Sequence, residues 1–239
     1  MIMQKYSKLN RLRFLINSGI TEFMQDIPRS RYNNNSQENT SKVSSEKLDL
    51  RDVKNLDQLQ NYVNNFNSCK LKLQAKKTVF SDGKPSSKIM LIGEAPGAEE
   101  DKIGKPFVGL AGKLLDKMLE SIDLNRDKVY ISNIVPWRPP GNRQPNDEEI
   151  MQCLPIIQKH IEIINPMILV LLGNTAAKSI LTSTIGITKL RGKWYEYNNP
   201  YLKKPILTRA MFHPAFLLRT PSYKKDAWSD LLEIKKKIN

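Results

Sequence analysis

From residue 88 onward, short runs of apolar and β-branched residues alternate with segments whose apolar residues recur at every third or fourth position. That order commits a chain to a parallel sheet covered by helices. A strand buried on both faces reads as a continuous apolar run, and each parallel crossover needs a helix to cover it. The strand runs span 88–92, 129–135, 167–172 and 205–212, with helical patterns near 112–122, 147–164 and 175–181. The expected fold is α/β, a three-layer α/β/α arrangement with a central four-stranded parallel sheet. Residues 192–197 could add an edge strand, and no internal repeat is visible.

Upstream, the apolar residues Leu9, Leu12, Leu15, Ile16, Ile20, Phe23 and Met24 predict an N-terminal helix within 1–27, interrupted near Gly19. Residues 28–48 are rich in Asn, Ser and Gln, with little to bury, and read as a disordered polar linker. The main domain is expected over 49–239, entered through a helical pattern at Leu56, Leu59, Val63 and Phe66. Basic side chains outnumber acidic ones 38 to 24, a net charge of +14 that favours a polyanionic partner such as nucleic acid. Two cysteines exclude a disulfide scaffold and fit a reducing compartment. No window approaches a membrane span and the start is charged, so the expected location is cytoplasmic, with no membrane partner.

Ligands of open α/β sheets bind beyond the carboxyl ends of the strands. Here those ends carry Gly93-Glu94-Ala95-Pro96-Gly97 with an acidic turn (Glu99, Glu100, Asp101) and Gly104-Lys105-Pro106-Phe107-Val108-Gly109; then Asn133 and the loop from Pro136 to Arg143; then Gly173-Asn174-Thr175; and finally His213 to Arg219. Glycine-exposed amides, a carboxylate, an amide side chain, an imidazole, an aromatic ring and arginines suit a planar polar ring beside phosphates. Bland readings stand beside these: Phe107 as a core plug, Asn174 and Thr175 as helix caps, His160 as a structural histidine, Asp101 as a solvated helix start.

Together, Gly93 to Gly97, Gly104 to Gly112, Asn133 with Arg138 to Arg143, and His213 to Arg219 resemble four ordered motifs of the uracil-DNA glycosylase superfamily, most closely its family 4 of iron-sulfur type, and of the glycosylase-like segment of some phage DNA polymerases. The resemblance covers about residues 56–234. It implies a DNA repair enzyme that flips uracil out of single- or double-stranded DNA and hydrolyses its N-glycosidic bond, leaving an abasic site. His213 would donate to uracil O2 as charge develops, and Glu94 would hold the water, with Glu100 or Asp101 as substitutes. Asn133 would read the O4 and N3-H edge, Phe107 would stack under the ring, and amides around Glu94 and Ala95 would complete the pocket. Leu217 falls where the superfamily inserts an apolar wedge, with a core leucine as the equal alternative, while Arg138, Arg143, Arg219 and Lys224 would meet phosphates. Lys189, Arg191, Lys193 and Arg209 are expected around the same groove. Alternatives are a non-catalytic uracil- or abasic-DNA-binding module and a glycosylase for another deaminated or mismatched base. A monomer is expected.

Family 4 takes its type from a [4Fe-4S] centre held by four cysteines. In the matching register this chain has Phe66, Cys69, Trp137 and Cys153. Neither aromatic can ligate iron, so no cofactor is expected. The two rings should instead fill the cluster's volume, near each other and beside two small buried cysteines.

Overall fold

In the computed structural model of the chain, residues 49–238 are described, so the helix expected over 1–27 and the linker expected over 28–48 lie outside the described residues. The four apolar runs form adjacent strands, β2 (Ile89–Gly93), β3 (Tyr130–Asn133), β4 (Ile168–Leu172) and β6 (Ile206–Met211), all mutually parallel. Among the described residues the sheet is nevertheless six-stranded and mixed, in the order β1 (Asp82–Gly83), β3, β2, β4, β6, β5 (Trp194–Tyr197). The expected edge strand is β5, antiparallel to β6, while the two-residue β1 pairs antiparallel with β3. A purely four-stranded description therefore needs correcting at both edges. β1 escapes sequence reading because a two-residue bridge has no periodicity to detect.

Side chains alternate across the sheet and build two cores. Met90, Ile92, Tyr130, Leu169, Leu171 and Ala210 pack with residues of α1 (Leu56–Asn65), α5 (Asp147–Ile164) and α6 (Asn174–Leu181). Ile89, Leu91, Ile131, Ile168, Val170 and Met211 pack on the other face, with α4 (Leu110–Glu120), α8 (Pro214–Arg219) and α9 (Lys224–Ile238). These are the three expected layers. The shorter helices are α2 (Leu71–Gln74), α3 (Ala98–Ile103) and α7 (Ile187–Leu190). α9 escapes sequence reading because its buried Ala227, Leu231 and Ile234 keep helical spacing but are diluted by lysines.

Local signals fix the helix ends. Asn55 caps α1 by accepting from the Gln58 amide, and Asn146 with Glu149 forms a reciprocal capping box at the start of α5. Such a cap contributes about 1 kcal/mol. Inside the α5 face, His160 is 2% exposed, hydrogen-bonded to the Tyr130 hydroxyl at 2.7 Å and stacked on Phe80. Burial holds its pKa down at about 3, in keeping with a structural histidine.

Candidate active site

Parallel pairing aligns Gly93, the last residue of β2, with Asn133, the last of β3. The absence of a side chain at Gly93 is a spatial requirement: a Cβ there would lie 2.6 Å from Phe107 Cζ and would also collide with Asn133 Oδ1. The Asn133 amide and the Phe107 ring thus meet over one glycine. Phe107 in turn stacks on His213, with ring centroids 5.5 Å apart. On the far side of the imidazole, Gly173 adopts φ +95°, and a Cβ there would come within 2.9 Å of His213 Cβ. Residues from four strand ends are thereby brought to one place, with Asn133 and Phe107 each about 5% exposed.

His213 caps α8, and the Ala215 amide donates to its Nδ1 at 3.1 Å. With Nδ1 occupied as an acceptor, the neutral ring carries its proton on Nε2, where it can donate. Burial and, secondarily, the Arg219 charge depress the His213 pKa to about 4, so the imidazole is neutral at physiological pH. Arg219 itself is exposed.

Three carboxylates of the first motif have separate tasks. Glu94 is partly exposed and accepts from the Thr175 hydroxyl at 2.5 Å. Thr175 was expected to cap α6, but Gly173 occupies the cap position and the hydroxyl reaches across to Glu94 instead. Glu100 accepts from the amides of Gly97, Val108 and Gly109 at 2.8–3.1 Å, which commits it to holding the Phe107 loop. Asp101, expected in solvent, is 2% exposed and accepts from the Lys76 and Lys77 amides. Its contacts lie some 25 residues upstream, beyond the reach of helix-start reasoning.

The basic residues divide as well. Arg138 is partly buried and donates to Asn142 Oδ1, whereas Arg143 is exposed but forked on Glu149 at 2.6 and 2.8 Å. Arg209, placed near the groove by sequence, is 3% exposed and bound with Arg191 to the fully buried Asp230, so neither is free for phosphate. Lys189 and Lys193 line a separate hollow of about 710 Å³ beside Thr182 and Tyr195. At the wedge position the burial follows the core reading of Leu217. Leu217 is 1% exposed and packs in the core with Phe107, while its neighbour Leu218 is 43% exposed. A short helix must turn one of two adjacent leucines inward, and sequence spacing did not tell which.

The uracil DNA glycosylase superfamily matches residues 80–232 of the chain. The type-4 uracil-DNA glycosylase of Sulfurisphaera tokodaii is 40% identical over 75% of this chain and 83% of its own length, and that of Saccharolobus solfataricus 39% over 77% and 87%. A DNA polymerase of Bacillus phage SP01 is 33% identical over 65% of this chain but only 16% of its own length.

The chain belongs to the uracil DNA glycosylase superfamily. Membership raises the question of the iron-sulfur centre, and the residues at its place do not fit one. Phe66 and Trp137 stack with planes 7° apart and centroids 6.0 Å apart. Trp137 is 1% exposed, and its indole N–H donates to Thr78 Oγ1 at 3.1 Å. Cys69 and Cys153 are buried beside each other. The neighbouring thiol and burial push Cys153 up, while Cys153 beside it holds the Cys69 thiol below its ordinary value. Among the described residues no group of three or more His, Cys, Asp or Glu is placed to hold a metal ion. Among the same residues no helix is long and apolar enough to cross a membrane.

Proposed function

We propose that the chain excises uracil from DNA, leaving an abasic site. The supporting observation is the meeting of Asn133, Phe107 and a neutral, Nε2-protonated His213 around Gly93. Bond cleavage gives the sugar oxocarbenium character and places negative charge on the leaving uracil. A fixed donor aimed at that charge lowers the barrier without reorganising at the moment of reaction. The His213 Nε2–H takes this role at O2. The Asn133 amide presents a donor and an acceptor together, which complements the O4 and N3-H edge of uracil and opposes the reversed pattern of cytosine. Phe107 offers an apolar face to the extruded ring, and amides near Glu94 and Ala95 close the pocket.

Glu94, oriented by Thr175, is the carboxylate that holds the water; Glu100 and Asp101 are excluded from that task by their backbone contacts. Leu218 replaces Leu217 as the side chain entering the base stack, since it is the exposed member of the pair. Arg138, Arg219 and Lys224 meet phosphates, with Arg143 contributing only if its pairing to Glu149 loosens. The enzyme works without an iron-sulfur cluster, the Phe66–Trp137 stack docking its two segments by packing. It acts as a cytoplasmic monomer on single- or double-stranded substrate.

The test is incubation with single- and double-stranded oligonucleotides carrying one uracil, followed by alkaline cleavage. Strand scission at the uracil position supports the reading; tight binding of the same oligonucleotide with no scission means a binding module instead.

A further inference from the structure

Phe107 is held in an unusual way. Its φ is +54°, in the left-handed region that a bulky aromatic residue rarely occupies. Such a conformation persists only where the surroundings over-determine it. Glu100 grips the loop from one side through the Val108 and Gly109 amides. From the other side comes Arg126, a residue without a place in the four motifs. Its guanidinium donates to the Pro106 carbonyl at 3.1 Å and to the Phe107 carbonyl. The same fork is anchored on Asp116 of α4 at 2.8 Å and on Asp82 of β1 at 2.7 Å. The Phe107 carbonyl is further enclosed by α4, where a Cβ on Gly112 would collide with it.

We propose that Arg126 is a positioning residue for the base platform: by binding the Pro106 and Phe107 carbonyls it fixes the left-handed turn that keeps the Phe107 ring between Gly93 and His213. A planar fork of five N–H donors can serve two carboxylates and two carbonyls at once, whereas a lysine ammonium has three donors and no fixed plane. The arrangement also gives the two-residue edge strand β1 a purpose, since it delivers Asp82 to the fork. Because Arg126 spends its donors on protein acceptors, its effect belongs to base placement and not to phosphate binding. The inference rests on the proposed role of Phe107 beneath the flipped uracil.

The experiment is a double-mutant cycle on the full chain, comparing wild type, Arg126→Lys, Phe107→Ala and the double variant. Single-turnover uracil excision, affinity for an abasic oligonucleotide and the melting temperature are measured for each. Arg126→Lys is expected to slow excision roughly 10- to 100-fold, the scale of a misplaced reacting group. Abasic-DNA affinity should be unchanged, and the substitution should add little in the Phe107→Ala background. Equal slowing in both backgrounds, a wild-type rate in Arg126→Lys, or a loss explained wholly by weaker DNA binding would overturn the proposal. Should Arg126→Lys not fold, Asp116→Asn, which loosens the same fork, takes its place with the same criteria. A wild-type protein that leaves uracil untouched would instead defeat the proposed function, a separate and earlier failure.

Discussion

Replacing Trp137 by alanine should be among the most damaging single changes to the folded state. The ring is 1% exposed and lies flat against Phe66, and its N–H is satisfied by Thr78. Truncating a buried aromatic of this size costs about 3–5 kcal/mol, through lost transfer energy and the cavity left behind. The stacked pair accounts for roughly 1 kcal/mol of that. For a domain of this length each kcal/mol moves the midpoint by about 2–4 °C, so the expected drop is on the order of 10 °C. Urea denaturation followed by far-UV circular dichroism measures the change. A cycle with Phe66→Ala isolates the pair, with an expected coupling of about 1 kcal/mol. A Trp137→Ala loss below about 1 kcal/mol, or zero coupling to Phe66, would show that something other than ring packing joins these segments.

His213→Ala should lower single-turnover excision by about 10²-fold, the scale for one oxyanion donor; full activity would remove the assigned role. Because burial holds the His213 pKa near 4, the excision rate should not change through titration of this residue between about pH 5.5 and 8, and a fall centred near the ordinary histidine value of about 6.5 would contradict the neutral assignment. The same depressed pKa values have a stability consequence. At His160 and His213 the unfolded chain binds protons that the folded one refuses, so stability is full above about 6.5 and declines as pH falls toward 4 and 3. Asn133→Asp should weaken discrimination between uracil and cytosine, read from excision on paired oligonucleotides. Leu218→Ala should slow excision from duplex more than from single strands with little change in melting, whereas Leu217→Ala should lower stability by about 2–5 kcal/mol; the reverse pattern would restore Leu217 as the wedge.

The parallel sheet was legible because Ile89–Gly93 and Ile168–Leu172 are buried at every position and so leave unbroken apolar runs in the sequence. The start of α5 was legible because Asn146 and Glu149 form a local capping box. Asn133, Phe107 and His213 could be named from ordered motifs, but their convergence over Gly93 is tertiary. What stayed hidden depends on partners distant in the chain. Asp101 looks solvent-facing until the Lys76 and Lys77 amides are seen against it. Arg209 looks like a phosphate ligand until Asp230 of α9 is placed beside it. Thr175 reads as a helix cap and Arg126 lies outside every motif, and only folding brings them to Glu94 and Phe107. A glycine before an acidic cluster signals a tight turn, but nothing local to it says which carboxylate will close that turn.

In the proposed function, aromatic packing stands in for a metal cluster while the glycosylase site works. The direct measurement is uracil excision together with iron content on one anaerobically purified sample of the full chain, before and after a strong chelator. Excision that proceeds with negligible iron and survives the chelator is the expected result. About four iron atoms per chain with a broad absorbance near ~400 nm, and excision lost when they are stripped, would contradict the account.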